Sequence, residues 1–366
     1  MLDNINYVPI LKWKRAEQGA LKDLSDVQKK RIMPLIELVM PKPKVIDHKN
    51  PNELYEESIS IFQDKRSKEI ADEVLASWGK RPILIDFSLL YTPELKSTSV
   101  NTIIEQGIVL GLSLVPVINL SDEDSIKSAV ASLNTKHLTG ICLRISPTQL
   151  KNIDDLNTKL DEFLQDHKLQ SSGITLLIDL KEECEETGYE YYFKQSQKIA
   201  ALNNWGGFII SCGAFPEDLS GCKKDEENIL PRLDWNNWHS LDGKQGIVRV
   251  PTYSDYTMRH PIYNEALQFY HPTASIKYTL NDGWLVMKGE KQKFGQYLAS
   301  AKVLKDDTRF FGEDFSTGDK YIEEKGQHFD DYIKDPEKIK GTGNTETWIR
   351  ASINHHLSVV VGQLAN

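Results

Sequence analysis

The chain has 366 residues, enough for two average domains or for one large barrel with additions. Apolar residues make up 40% and charged residues 27%, which excludes wholesale disorder. Lysine and arginine total 44 against 53 aspartates and glutamates, and the net charge of −9 disfavours nucleic acid as a partner.

In chain order, short apolar runs recur at residues 7–11, 32–36, 82–85, 112–118, 140–143, 174–178 and 207–210. Each is rich in Ile, Leu and Val and bounded by Pro, Gly or polar residues, as in strands buried on both faces of a parallel sheet. Helical periodicity fills the gaps at 20–31, 121–133, 148–166 and 182–202. From the second run on, the strand ends lie about 35 residues apart on average, which suits a βαβ unit. Seven such units, with no glycine-rich phosphate loop, predict an α/β fold of the (β/α)8 TIM-barrel-like kind rather than an open nucleotide-binding sheet. The eighth strand is either 247–253 or the first arm of a hairpin at 275–289, which turns at Asn281-Asp282-Gly283. A helix is expected at 291–304 and a last one at 345–361.

A parallel barrel uses about 250 residues. The remainder is assigned to a C-terminal hairpin, loop and helix addition, with a barrel over 1–304 and a lid and helix over 305–366. The window 305–341 holds eleven Asp and Glu against seven Lys and Arg, interrupted by glycines, and cannot form a core of its own. Segments 253–261 and 310–322 are expected to fold over the barrel mouth as the lid, braced by His355 or His356.

The four cysteines, Cys142, Cys184, Cys212 and Cys222, show no CxxC and no zinc spacing. They predict neither a disulfide framework nor a zinc site, and fit a cytoplasmic protein. No signal peptide and no membrane span are expected from the hydropathy pattern.

Functional groups in such barrels project from the C-terminal strand ends. The runs here stop at Glu37, Asp86, Asn119, Arg144, Asp179 and Ser211. Glu37, Asp86 and Asp179 are the candidate catalytic carboxylates, as an acid and base pair or, with Asn119, as oxygen ligands to a divalent cation. Arg144, with Lys12 and Lys14 from the first strand, could clamp a phosphate or carboxylate. Ser211, the stretch Tyr253, Asp255 and Tyr256, and His355 complete the candidate ligand-binding set. The ordinary alternative is that strands end where polarity begins. Adjacent histidines on a helix point about 100° apart and chelate poorly.

The segments YVPILKWKRAEQGALKDLSDVQKKRIMPLIELV, PTYSDYT, ASIKYTLNDGWLVMKG, FSTGDKYI and WIRASINHHL together resemble the beta protein family of bacteriophages and bacterial mobile elements, from about residue 7 to 362. Ser254 and Thr257 stand where that family usually shows glycines. The resemblance implies a setting in phage–host conflict, such as anti-phage defence, and brings no catalytic residues with it. Two readings stay open. One is a hydrolase-like enzyme acting on a small anionic or phosphorylated ligand. The other is a non-catalytic sensor of a phage product or of a protein partner from a defence locus.

Overall fold

The computed structural model describes residues 4–41, 51–224, 226–241, 244–264, 273–291, 293–335 and 341–365. Seven parallel strands follow the apolar runs: β1 (Ile10–Lys12), β2 (Leu35–Glu37), β3 (Ile83–Asp86), β4 (Leu114–Ile118), β5 (Ile141–Ile145), β6 (Ile174–Asp179) and β7 (Gly207–Cys212). After β8 (Asn228–Pro231), which leaves the barrel, β9 (Thr252–Asp255) pairs in parallel with β7. A parallel bridge between Tyr7 and Tyr253, with Val8 N donating to Tyr253 O at 2.9 Å, brings β9 back to the first strand. The eight strands form a TIM-like parallel barrel, and β9, which overlaps the first of the two candidate regions only at residues 252–253, is its eighth strand.

Alternation along each strand divides the core in two. Ile10, Leu35, Leu84, Val117, Cys142, Leu177 and Ile209 fill the barrel interior. The intervening residues, such as Leu11, Ile36, Ile85, Leu143, Ile178 and Ile210, pack outward under the helices. The expected helix at 20–31 is two helices, Arg15–Lys22 and Asp26–Lys29. The second is restarted by Ser25, whose hydroxyl accepts from Gln28 N while the Gln28 side chain returns to Ser25 N.

The hairpin arms β10 (Ile276–Thr279) and β11 (Gly283–Met287) join β8 in a separate antiparallel sheet of order β10–β11–β8. This sheet is built wholly from chain that leaves the C-terminal ends of β7 and β9. The chain then returns to the barrel as the helix Thr345–Gln363, which packs on Arg15–Lys22 and contributes Ile353, Leu357, Val360 and Val361 to the outer core. That last helix occupies the eighth helical position, so the boundary expected at 304 falls within one long insertion between β9 and its helix. Residues 336–340 of the expected lid lie outside the described residues.

Segment 310–322 does not cover the mouth. Phe310, Phe311 and Ile322 pack with Tyr278, Tyr297 and Trp348 on the face of the small sheet that carries Ile276 and Leu285. Aromatic side chains are better buried there than over a polar opening. No disulfide framework was expected, yet one bridge is present: Cys184, just after β6, and Cys212, ending β7, form a disulfide, while Cys142 and Cys222 are free and buried. Adjacent parallel strands bring these two distant sequence positions side by side, which spacing alone did not reveal. No helix among the described residues is long and apolar enough to cross a membrane.

The insertion locks to the last helix through a close backbone approach at Gly318, where an added Cβ would lie 2.2 Å from the Ala351 carbonyl oxygen. Gly318→Ala is therefore expected to lower the unfolding free energy by about 1–3 kcal/mol. At Gly362, on the same last helix, nothing lies within 4 Å. There the same substitution should stabilise by up to about 1 kcal/mol. Urea denaturation of both variants checks the contrast.

Candidate ligand site at the barrel mouth

The polar strand ends converge because each sits two residues beyond an interior apolar residue. Lys12 follows Ile10, Glu37 follows Leu35, Asp86 follows Leu84, Arg144 follows Cys142 and Asp179 follows Leu177. These five side chains cap the interior with exposures of 1–7%. Register then sets neighbours: Lys12 lies beside Glu37, and Glu37 beside Asp86.

Arg144 is the hub. Its Nε and Nη2 each lie 2.8 Å from Asp179 Oδ2, and its Nη1 donates to Glu37 Oε1 at 2.9 Å and to Asp86. Its Nη2 also donates to the Tyr256 hydroxyl at 2.6 Å, and that hydroxyl contacts both Asp179 oxygens at 2.8–2.9 Å. Lys12 pairs with Glu37. Lys181 reaches Asp179 at 3.0 Å, the Tyr256 hydroxyl at 3.0 Å and Glu37 at 4.0 Å. Three carboxylates thus face three cations.

Burial alone would push the Glu37 and Asp179 carboxyls up. The cations reverse this. Lys12 and Arg144 pull Glu37 down to about 2, and Arg144 with Lys181 holds Asp179 well below the usual carboxylate range. Both are ionised at neutral pH, so neither holds the proton that a general acid would donate. The carboxylate oxygens turn inward onto Arg144, and among the described residues no group of three His, Cys, Asp or Glu side chains could hold a metal ion. The donor set does not fit the divalent cation that three carboxylates suggested.

The remaining expected residues divide. Asn119 lines a cavity of about 170 Å³ with Asp86, Arg144, Asp179 and Lys181, while its amide nitrogen donates to Arg144 O at 2.8 Å. Ser211 is fully buried, and its hydroxyl meets no partner among the described residues. Tyr256 points inward. Tyr253 and Asp255 do not, because they lie in opposite phase on β9 and face the outer helices. Tyr253 stacks on Tyr7 with ring centroids 5.7 Å apart and meets Trp235 and Trp238 edge-on.

Asp255 accepts from the Tyr7 hydroxyl at 2.6 Å and the Tyr253 hydroxyl at 3.0 Å, and meets His356 Nε2 at 3.0 Å. His355 is also distant from the mouth. It stacks on Tyr278 at 3.9 Å and bonds Asp319 at 2.8 Å and Thr279 O at 2.8 Å. These three expected ligand contacts are instead members of a buried network behind the barrel.

On the other flank of the hub, Lys12, Lys14, Arg259 and Tyr263 line a cavity of about 200 Å³, with Lys277 and Phe215 among its walls. Tyr263 covers both lysines, with Lys12 Nζ 5.4 Å and Lys14 Nζ 4.9 Å from its ring centroid. Glu17, 1% exposed, pairs with Arg259 at 3.2 Å. Glu17, Lys181 and Lys277 were missed in the sequence. For Lys181 a signal existed, since it continues the inward phase of Asp179 two residues past the strand end, as Lys14 continues that of Lys12.

A family model for the beta protein matches residues 7–362. The chain belongs to the beta protein family. No curated protein sequence matches it. Among solved structures it is similar to the apo endo-beta-N-acetylglucosaminidase of Cordyceps militaris, at 9% identity and a TM-score of 0.35, covering 72% of this chain and 85% of that one. A mutant of that enzyme with fucosyl-N-acetylglucosamine-Asn gives the same values. A Burkholderia cenocepacia J2315 protein assigned provisionally as a lyase/mutase aligns at 10% identity and a TM-score of 0.29, covering 57% of this chain and 68% of that one. At such scores these likenesses carry no argument about activity.

Two measurements follow from the ionic plug. Arg144→Met removes the one cation paired with Asp86 among the described residues and leaves three buried carboxylates facing only Lys12 and Lys181, and is expected to cost about 3–5 kcal/mol in urea unfolding at neutral pH. Asp86→Asn should lower stability by less, because it removes one of three anionic partners rather than a repelling charge. The second concerns acid. Glu37 has a folded pKa of about 2 against an ordinary 4.5. Its contribution is fully present above pH 4.5 and is lost as pH falls toward about 2. Glu37→Gln should flatten the stability–pH slope in that window.

Proposed function

We propose that this beta protein binds a small anionic ligand at the barrel mouth, in the phage–host setting that the family resemblance implies, and that it recognises the ligand rather than hydrolysing it. The supporting observation is the cavity beside the plug. Among the described residues its charged lining is Lys12, Lys14, Arg259 and Lys277 against Glu17 and Glu217, with His260 in addition. A cation excess in a partly enclosed space favours phosphate or carboxylate. About 200 Å³ suits a small anion or the acid group of a larger one, since pockets for drug-sized ligands start near 300 Å³.

Recognition is favoured over turnover by the state of the carboxylates. Hydrolysis by an acid and base pair needs a carboxyl that carries its proton near neutral pH. Glu37 and Asp179 are held ionised by their cations. Asp234 is pushed up to about 7 by burial and by Asp255, but it lies 1% exposed under the outer helices rather than at the mouth.

Thermal shift against inorganic phosphate and nucleoside monophosphates tests the reading. A ligand at 100 times its Kd stabilises by about 2.7 kcal/mol. Lys14→Ala is expected to weaken binding about tenfold while leaving the unliganded melting temperature nearly unchanged. Equal binding by that variant, or no response of the native protein to any phosphate-bearing compound, would overturn it.

A further inference from the structure

Lys277 sits where a lysine is costly. Along β10 the two-residue period turns Ile276 and Tyr278 to one face of the small sheet, and Lys277 and Thr279 to the other. The Lys277 face is apolar. Lys277 pairs across the strands with Val286, and Thr279 with Trp284. Val286 and Trp284 pack with Phe215, Cys222 and Met258. The ammonium lies 4.1 Å from the Phe215 ring centroid and donates to Met258 O at 3.2 Å. Among the described residues no carboxylate lies within ion-pair distance of it. Burial, and secondarily Arg259, pull its pKa down to about 7. Lys277 is half-buried with one ring and one carbonyl as partners, and a bound anion would supply the counter-charge that it lacks.

Lys277 also lines a second, larger cavity of about 410 Å³. Its floor is Met258, Tyr297, Trp348 and Ile353, each no more than 2% exposed. Arg259 and Lys288 add positive charge, and its carboxylates, Glu217 and Asp218, stand on an exposed loop at the rim. An apolar floor with cations at one end matches one class of molecule.

We propose that this cavity is a second binding site, for a small organic anion with an apolar body, whose acid group pairs with Lys277 beside Arg259. The site shares Glu217, Arg259 and Lys277 with the mouth cavity, but it excludes Lys12 and Lys14 and selects for an apolar body that the smaller cavity has no room to hold.

Anilinonaphthalene sulfonate, an aromatic anion, serves as the probe, with decanoate as competitor. The native protein should bind the probe saturably at one site, decanoate should displace it, and inorganic phosphate should not. Lys277→Met should weaken the probe about tenfold or more, and Lys14→Ala should leave it unchanged. Should Lys277→Met fail to fold, reductive methylation of the native chain followed by mass spectrometry reads the same contact. Decanoate should protect Lys277 and leave Lys14 reactive. Unchanged probe affinity in Lys277→Met, displacement by phosphate alone, or no protection of Lys277 would overturn the proposal. Lys14, which lines only the mouth cavity, separates the two sites: Lys14→Ala should lower phosphate binding and leave the probe unchanged.

Discussion

The guanidinium of Arg144 is the constraint on which the mouth depends. Three carboxylates at 1–2% exposure could not be ionised there alone, since removing a single charge from water costs several kcal/mol. They are supported because Arg144 carries five donors in a fixed plane and uses them on Glu37, Asp86, Asp179 and Tyr256. Lys12 and Lys181 complete the neutralisation. The partners come from β1, β2, β3, β5 and the end of β6, so the network forms only when the barrel closes. Charge neutrality and closure are one condition.

Strand β9 carries that condition outward. Tyr256, just past its end, faces inward and accepts from Arg144, whereas Asp255 faces outward and meets His356 of the last helix. His356 Nδ1 in turn meets Thr279 Oγ1 at 2.9 Å on β10. The adjacent histidines serve two faces: His356 holds the barrel side of the small sheet, and His355 holds its far side through Asp319 and Tyr278. Their angular separation on the helix, which makes them poor chelators, suits them to stitch two layers together. One residue of phase on β9 therefore separates the mouth from the scaffold behind it.

The same phase explains how much was legible in the sequence. Continuous apolar runs located seven strands, and the polar residue ending each run named Glu37, Asp86, Arg144 and Asp179, because parallel strands are buried on both faces and stop at one end of the barrel. Tyr253 and Asp255 were misplaced because the eighth strand is short and its phase could not be set without its partner, Tyr7. The insertion was opaque for a different reason. Its sheet joins β8, after the seventh barrel strand, to a hairpin some fifty residues later, and pairing across that gap leaves no periodic trace. The Cys184–Cys212 bridge is a product of neighbouring strands in the same way.

The placement of the insertions decides where recognition can occur. Both arise after the last two barrel strands, so they rise beside one flank of the mouth and leave the Asn119 flank with only a cavity of about 170 Å³. At the centre, the Arg144 donors are already bonded to protein, and a ligand would have to displace an ion pair to reach them. For an anion at the mouth, as proposed, binding energy would then come from cations outside the plug. Those lie where the insertion meets the barrel: Lys14 under Tyr263, Arg259 beside Glu17, and Lys277 within the apolar face of the small sheet. The neutral plug fixes the geometry, and the cation-rich seam beside it is where an anion gains most.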